Sequence, residues 1–314
     1  MPLRIATLTV NPAVDVAMEA HELRPGHKIR THAETYDAGG GGINVSRVIH
    51  ALGGDTFALF AQGGFPGRFL EEMLTQTGVP FRTFPVAGTV RISVTVHETS
   101  TGNEYRFVPE GPHLKPTDAE DILAHLENIQ ADWLVASGSL AAGLPVDFYG
   151  RVARLARRRG IRFALDTSGA ALEAALHQGI DLLKTSLTEF QSIAGAEVFE
   201  REDLKRQASW LVASGAASMI AVTLGEHGAM LCGIERQIMA SAIAVQRRSS
   251  IGAGDSFLAG LVLALVRGSC EEEALQFAIA TSAAAVVSQG TARVNREQVE
   301  SFLARGIDAV DLCP

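Results

Sequence analysis

Cysteine, aromatic side chains and positive charge are all scarce in this chain of 314 residues. The three cysteines, Cys232, Cys270 and Cys313, form no CxxC pair, which argues against a disulfide framework or a metal site built on cysteine pairs. Aromatic residues make up 6% of the chain, and the formal net charge is −8, from 27 Lys and Arg against 35 Asp and Glu. Because a nucleic-acid binder needs a basic face and often an aromatic platform, we expect no nucleic-acid partner.

Long apolar runs are also missing. The longest, Phe257–Val266 and Ala278–Val287, are shorter than the roughly 18 to 20 residues that a membrane-spanning helix requires. The N-terminal segment has an apolar run too short for a secretory signal peptide. We therefore expect a cytoplasmic protein with no membrane partner, and a sparse, odd set of cysteines fits that reducing compartment.

Glycine is abundant, with 31 residues, and short β-branched segments alternate with segments of helical spacing. The predicted strands are Ile5–Val10, Thr56–Phe60, Trp133–Ala136, Phe163–Leu165, Leu182–Leu183 and Met219–Leu224. The predicted helices are Ile43–Leu52, Phe69–Thr77, Val146–Arg158, Leu204–Ala213, Ser256–Val266, Glu272–Ser288 and Gln298–Ala304. This alternation predicts an α/β fold with a parallel sheet and helices on both faces.

Two stretches interrupt that rhythm. Val90–His97 and Glu104–Val108 flank a polar turn and predict a β-hairpin, and Lys28–Tyr36 also reads as extended. The two excursions, at about residues 14–37 and 89–109, could pair into a small sheet that covers a site as a lid. We expect it to belong to a single domain of residues 1–314. A hairpin that only decorates the surface gives the same periodicity, so this lid is one of two interpretations.

The segment Ser249–Phe257, SSIGAGDSF, directly precedes an apolar helix. Its glycines allow close backbone approach, and N–H groups at a helix N-terminus can bind an anion. The Asp255 carboxylate would repel that anion unless it has a task of its own. A general base that takes a proton from a hydroxyl, while the N–H groups hold a phosphoryl group, is such a task. A simple cap of the helix is the other interpretation.

A second glycine run, GGGGINVSR at residues 39–47, opens another helix and could contact a small polar ligand through its amides and Asn44. A flexible turn is the alternative, although four glycines cost conformational entropy on folding. Neither run completes the GxGxxG fingerprint, because Asn44 and Phe257 stand where the last glycine is required. The GxxxxGK[ST] and HExxH motifs are absent. These absences argue against a Rossmann dehydrogenase, a P-loop NTPase and a zinc protease.

Together, the motifs at residues 39–45 and 252–257 resemble the two signatures of the ribokinase-like (PfkB) carbohydrate kinases, and the resemblance covers essentially the whole chain. Four further segments are similar to the phosphosugar branch of that family, most of all to its minor bacterial 6-phosphofructokinases: Thr7–Asp15, Tyr105–Phe107, Ser137–Leu140 and Gln289–Thr291. The resemblance implies a three-layer α/β/α fold with a mostly parallel central sheet and a small β-sheet lid. It also implies ATP and Mg²⁺ as cofactors and a phosphosugar as substrate.

The same resemblance implies roles for individual residues. Asp255 would be the general base, and Gly252, Ala253 and Gly254 would supply amides that stabilise charge on the γ-phosphate. The residues that would contact the phosphosugar are Asp15, Lys28, Gly39, Gly40, Asn44, Arg91 and Ser139. Arg91 and Lys28 would bind its phosphate, since guanidinium and ammonium groups pair with phosphate oxygens. A solvated surface charge is the alternative for both cations.

On the nucleotide side, the resemblance implies ATP contacts from Lys184, Ser186, Thr223, Gly225, Ser250, Gly252 and Gly254. Glu189 would act on Mg²⁺ through water. The chain departs from the family pattern at Ser186, where Asn usually begins an Asn-x-x-Glu motif, and at Ser93, where the branch often has Asn. The shorter serine side chains predict altered Mg²⁺ use and looser sugar discrimination.

The predicted reaction is the ATP-dependent phosphorylation of fructose 6-phosphate to fructose 1,6-bisphosphate. The alternatives are a 1-phosphofructokinase, a tagatose-6-phosphate kinase, or a catalytically weakened sugar- or nucleotide-binding protein on the same fold. Because the lid strands could pair with those of a second chain and bury an exposed edge, we also expect a homodimer.

Overall fold

The computed structural model describes residues 4–194, 201–246, 248–249, 251–288 and 290–311. Its strands form two separate sheets. The strands are β1 (Ile5–Thr9), β2 (Ala13–Ala20), β3 (Thr31–Gly39), β4 (Thr56–Gln62), β5 (Phe81–Pro85), β6 (Arg91–Glu98), β7 (Glu104–Phe107), β8 (Trp133–Ser137), β9 (Arg162–Asp166), β10 (Ile180–Ser186), β11 (Ala217–Thr223), β12 (Ala229–Cys232), β13 (Gln237–Ala240) and β14 (Ala309–Asp311).

Helices connect most of these strands. They are α1 (Gly41–Ala51), α2 (Gly64–Thr77), α3 (Pro116–Leu126), α4 (Phe148–Arg158), α5 (Gly169–Leu176), α6 (Leu187–Ala194), α7 (Arg201–Ala213), α8 (Ala253–Val266), α9 (Glu271–Val286) and α10 (Arg296–Ala304). A short 3₁₀ helix spans Gly225–His227. In the described part of the chain, none of the helices has the length and apolar character that a bilayer crossing needs.

The large sheet has the strand order β14-β13-β12-β11-β10-β9-β8-β1-β4-β5. All neighbours from β5 to β11 pair in parallel, and β12, β13 and β14 extend the sheet in antiparallel pairing. The predicted mostly parallel sheet is therefore confirmed. The antiparallel extension carries no strand–helix alternation and was not predicted.

Two hydrophobic cores lie on opposite faces of this sheet, and helices cover both. Phe148 of α4 and Leu211 of α7 belong to the first core, and Leu261 of α8 and Phe302 of α10 belong to the second. Successive side chains of β1 point to alternate faces, so Ile5 joins the second core and its neighbour the first. The predicted three-layer α/β/α architecture is confirmed.

The small sheet has the order β3-β2-β6-β7, with β2 and β6 parallel and the two outer pairs antiparallel. The β6–β7 hairpin forms at the predicted position. One face of this sheet is apolar and packs through Val14 and Val16 towards Leu70 and Leu74 of α2. The other face is polar. The extended prediction beginning at Lys28 is wrong by three residues, because Lys28 lies in the loop before β3 starts at Thr31.

The strand order of the large sheet reverses at β1. β4 and β5 lie on one side of β1, whereas β8 to β11 continue on the other side. Open α/β sheets bind ligands outside the carboxyl ends of their strands at such a switch point. The glycine run lies at this switch point. Gly41 packs against Ser137 at the end of β8, where a Cβ atom on Gly41 would lie 2.2 Å from Ser137 Oγ. The helix α1 can therefore approach the end of β8 only with glycine there.

Candidate active site

Asp255 lies in the first turn of α8 and is held by two side-chain donors. Asn44 Nδ2 donates to its Oδ2 at 2.9 Å, and Ser137 Oγ donates to its Oδ1 at 3.1 Å. Loss of solvent raises the pKa of Asp255 to about 6, and the nearby Asp166 carboxylate adds to the increase. Asn44, Lys184 and Ser137 act in the opposite direction. A carboxylate with this pKa is ionised at neutral pH and still able to accept a proton.

The N-terminus of α8 lies beside this carboxylate. Among the described residues, Ser256 N is the first amide to bond within the helix, to Gly252 O at 2.9 Å, and the amides of residues 253–255 belong to the first turn, whose N–H groups have no acceptor within the helix. Gly252 has a φ of 75°, and a Cβ atom there would lie 2.7 Å from Ala292 N, so only glycine fits. A Cβ atom on Gly254 would lie 2.8 Å from Lys184 Nζ. The amine of Lys184 therefore lies against the first turn of α8, where helix N–H groups can bind an anion.

Lys184 is buried on β10 and donates from Nζ to Asp166 Oδ2 at 3.0 Å. Burial lowers the pKa of Lys184, but the carboxylates of Asp166 and Asp255 outweigh it and the net pKa is raised. Lys184 therefore stays charged. Burial is also the main cause that raises the pKa of Asp166, with the ammonium of Lys184 opposing it. Asp166 was not predicted, although it directly follows the predicted strand Phe163–Leu165.

Ser186 and Glu189 form a reciprocal cap at the start of α6. The backbone N and the Oγ of Ser186 donate to Glu189 Oε2 at 2.8 and 2.7 Å, and Glu189 N donates back to Ser186 Oγ at 3.3 Å. This is the capping-box geometry of a Ser-x-x-Glu sequence. Serine therefore keeps the carboxylate of Glu189 in place. The altered Mg²⁺ use expected from Ser186 stays a prediction.

The carboxylate of Glu189 fits a divalent cation that is shared with a phosphate. Its negative charge raises the pKa of both Lys184 and Asp166, so Glu189 lies close to the ammonium group. Among the described residues, no three acidic, His or Cys side chains converge into a complete metal site. Mg²⁺ commonly uses one or two carboxylates together with water and phosphate oxygens, so a single carboxylate, Glu189, is compatible with it.

A cavity of about 820 Å³ opens beside the first turn of α8. Thr223, Gly225 and Gly254, all predicted nucleotide contacts, line it. The remaining walls are mostly apolar and come from the loop after β13 and from α8 and α9: Ala242, Ile243, Ala244, Val245, Phe257, Ile279, Ala283 and Val286. Apolar walls with a few polar groups suit a nucleoside base. The loop contribution was missed because a short apolar run has no period, and the predicted contact Ser250 lies outside the described residues.

The predicted sugar contacts Asp15, Gly39 and Asn44 meet around Asp255. A Cβ atom on Gly39 would lie 2.3 Å from Asp15 Oδ2, so glycine gives that carboxylate its space. Gly40 adopts a φ of 107° where the chain turns into α1, which brings Asn44 to Asp255. Loss of solvent is the main cause that raises the pKa of Asp15 to about 6.

Arg91 and Ser139 are joined through Asn11. Arg91 donates from one guanidinium nitrogen to Asn11 O at 3.1 Å and from the other to Pro109 O at 3.1 Å. Asn11 Nδ2 donates to Ser139 Oγ at 3.1 Å. In the described structure, Arg91 Nε and Asn11 Oδ1 are buried without a hydrogen-bond partner. Buried polar atoms without partners are rare, which marks this corner as a place for a polar ligand.

Lys28 does not join Arg91 within one chain. Arg91 pairs with Ala13 at one end of β2, whereas Lys28 follows Ala20 at the other end. Arg106, a cation that was not predicted, lies near Asp15, because its positive charge lowers the pKa of that carboxyl group.

The strand register explains the position of Arg106. Asp15 pairs with Ser93, and Thr95 pairs with Arg106, so all four side chains share the polar face of the small sheet. The alternation of the apolar Tyr105 and Phe107 with the polar Arg106 could have indicated from the sequence that Arg106 faces the site.

A family model for the pfkB family carbohydrate kinases matches residues 9–298. The chain belongs to the pfkB family of carbohydrate kinases. It is therefore a phosphotransferase that acts on a sugar hydroxyl, and the resemblance drawn from the two glycine motifs is confirmed.

Known relatives cover nearly the whole chain. The ATP-dependent 6-phosphofructokinase isozyme 2 of Mycobacterium tuberculosis is 40% identical over 301 residues, which are 95% of this chain and 88% of that protein. The crystal structure of phosphofructokinase-2 from Escherichia coli in complex with fructose-6-phosphate has 32% identity and a TM-score of 0.91, covering 96% of this chain and 99% of that one. A 1-phosphofructokinase of Xanthomonas campestris is 30% identical over 311 residues, 97% of this chain and 98% of that protein.

Proposed function

We propose that this pfkB kinase transfers the γ-phosphoryl group of ATP to O1 of fructose 6-phosphate. The observation that carries the proposal is the position of Asp255, which lies in the first turn of α8 and contacts Asn44, a predicted sugar contact. The base and the anion site thus belong to one turn of one helix. The 6-phosphofructokinase relatives support the choice of substrate.

In this mechanism the sugar hydroxyl approaches the open side of Asp255, which takes its proton as the phosphoryl group is transferred. The amides of residues 253–255 and the ammonium of Lys184 stabilise the charge on the transferred group. Mg²⁺, when bound near Glu189, supplies further positive charge for the phosphates. Asp15 orients the sugar by accepting hydrogen bonds from other hydroxyls. The small sheet acts as a lid that keeps water from competing with the sugar as acceptor.

The phosphate already on the sugar lies against Arg91 and Arg106 in this proposal. Arg91 Nε is buried with no hydrogen-bond partner among the described residues, and Arg106 lies on the same polar face of the small sheet. Guanidinium groups suit this task because their planar donors match phosphate oxygens. Both arginines would hold any phosphosugar, so a 1-phosphofructokinase remains the second candidate, as one relative at 30% identity bears that name.

The test is ADP release by the purified protein with MgATP and one of four sugars: fructose 6-phosphate, fructose 1-phosphate, tagatose 6-phosphate or free fructose. We expect the highest kcat/KM with fructose 6-phosphate. Asp255→Ala should lower kcat on the order of 10²- to 10⁴-fold while the melting temperature shows a folded protein. A preference for another phosphosugar would replace the substrate, and near-normal turnover by Asp255→Ala would remove the mechanism.

A further inference from the structure

Arg47 of α1 is buried and connects three parts of the protein. One nitrogen, Nη1, donates to Ala38 O at 2.9 Å, to Thr291 O at 3.1 Å and to Asn44 Oδ1 at 3.2 Å. The other, Nη2, donates to Asp37 Oδ1 at 3.1 Å. The small sheet, the loop after α9 and the first turns of α1 therefore meet on one guanidinium group.

The contact with Asn44 decides which way its amide points. A guanidinium group has only donors, so Asn44 must turn its oxygen towards Arg47. The NH₂ group of Asn44 then faces Asp255 and donates to Oδ2 at 2.9 Å. With the amide reversed, the oxygen of Asn44 would face Asp255 and would favour its protonated form, because only that form can donate a hydrogen bond.

We propose that Arg47 is a positioning residue for the catalytic base: by fixing the amide of Asn44, it keeps a hydrogen-bond donor on Asp255 and so keeps Asp255 ready to accept a proton. The inference rests on the proposed role of Asp255 as the base. Arg47 itself touches neither Asp255 nor the position of the reacting hydroxyl in this arrangement.

Other charged groups also act on Asp255, and they remain in place in the variants below. Asp166 at the end of β9 and Asp15 on β2 favour protonation of Asp255, whereas Lys184 on β10 favours the carboxylate. Removing the charge of Arg47 would also act on Asp255 through space. The experiment must therefore separate the orientation of Asn44 from the loss of a positive charge.

Two substitutions at Arg47 and one matched control make that separation. Arg47→Met removes the positive charge and all guanidinium donors. Arg47→Lys keeps a positive charge beside Asp37, but its single amine cannot donate to all four acceptors. Arg293→Gln is the control, because Arg293 also donates to Asp37 Oδ1, at 2.9 Å from Nη2, but has no hydrogen bond to Asn44. Melting temperatures show which variants are folded.

The readout is kcat as a function of pH at saturating MgATP and fructose 6-phosphate. The acidic limb should move up by about 0.5 to 1 pH unit in both Arg47 variants, the size expected for the loss of one hydrogen bond to a titrating group, and stay in place in Arg293→Gln. The substrate titrates in the same way in every variant, so a difference between profiles belongs to the enzyme.

A double variant closes the test. In an Asn44→Ala background, Arg47→Lys should cause no further shift, because no amide is left to orient. The proposal is overturned if the Arg47 variants follow Arg293→Gln, or if their shift persists in the Asn44→Ala background. Absence of ADP release from the unaltered enzyme with all four sugars would instead overturn the proposed function.

Discussion

Asp15 and Asp255 both have a pKa raised to about 6, and for both the main cause is loss of solvent around the carboxylate. Each lies close to further carboxylates, and the nearest cations offset only part of the cost. Holding such groups ionised at neutral pH lowers the free energy of unfolding of the protein. In the proposed mechanism, hydroxyl groups of the bound sugar donate hydrogen bonds to these carboxylates and offset part of that cost.

This cost predicts the effect of Asp255→Asn on stability. Between the ordinary aspartate pKa of 3.8 and about 6, the folded protein binds a proton more tightly than the unfolded chain, so the free energy of unfolding falls as pH rises through that window. Above it the full penalty applies. Asp255→Asn should therefore raise the free energy of unfolding by about 1 to 3 kcal/mol at pH 7.5 and by less at pH 5.

Urea denaturation at the two pH values measures this difference. The exposed Asp121 supplies the control, since Asp121→Asn changes charge without changing the site. A destabilised Asp255→Asn protein at both pH values would show that the carboxylate stabilises the fold.

Sequence reasoning identified the residues whose types and positions are themselves informative. Asp255 follows two glycines at a helix start, and the family resemblance of the Thr7–Asp15 segment implied a role for Asp15. Arg106 and Asp166 carried local signals, in strand alternation and at the end of a predicted strand, whereas the importance of Arg47 depends on partners far away in the chain. Arg47 meets Thr291, which is 244 residues away, and no local pattern contains such a contact.

At the scale of elements, strand alternation in the small sheet places polar residues on one face and apolar residues on the other. Asp15, Ser93 and Arg106 share the face towards the site, whereas Val16 and Phe107 share the opposite face. The hairpin was predictable from its turn and its alternation. β12, β13 and β14 were not, since four-residue or shorter apolar segments fit strand and loop equally well. Helix α3 was also missed, although Ala119, Ile122 and Leu126 mark its buried face.

The polar face of β7 predicts a substrate-specific effect of Arg106→Gln. A hydrogen bond between charged groups contributes about 1.5 to 3 kcal/mol, which corresponds to roughly a 10- to 100-fold increase in KM for fructose 6-phosphate. The KM for MgATP and turnover with free fructose should not change. Steady-state kinetics of Arg106→Gln and of the control Arg68→Gln, an exposed arginine on α2, measure this. An equal loss with free fructose would mean that Arg106 does not contact the sugar's phosphate.

At the scale of the whole molecule, the apolar face of the small sheet is only partly covered. Tyr36, Ile92, Tyr105 and Phe107 remain between 38% and 57% exposed on it. Exposed apolar patches of this kind mark interaction sites, and in the part of the chain that the structure describes, β3 and β7 are the edge strands of this sheet. We propose that a second copy of the chain covers this face.

Phe107→Asp tests the proposed dimer. Light scattering after gel filtration should give the mass of a dimer for the unaltered protein and of a monomer for the variant, because an aspartate cannot be buried there without a partner. Ile234→Asp is the control, since Ile234 is 82% exposed on the turn between β12 and β13 of the large sheet. A monomeric unaltered protein, or a dimeric Phe107→Asp, would contradict the proposal.

The place of β1 in the large sheet also bears on how the chain is made. β1 is synthesised before the other described strands, yet one of its two neighbours, β8, ends only at Ser137. Until then a buried, apolar strand of the finished protein presents a row of unpaired N–H and C=O groups. Growing chains that end before Ser137 are therefore the most prone to aggregation. Protection by a chaperone matters until β8 is synthesised and pairs with β1.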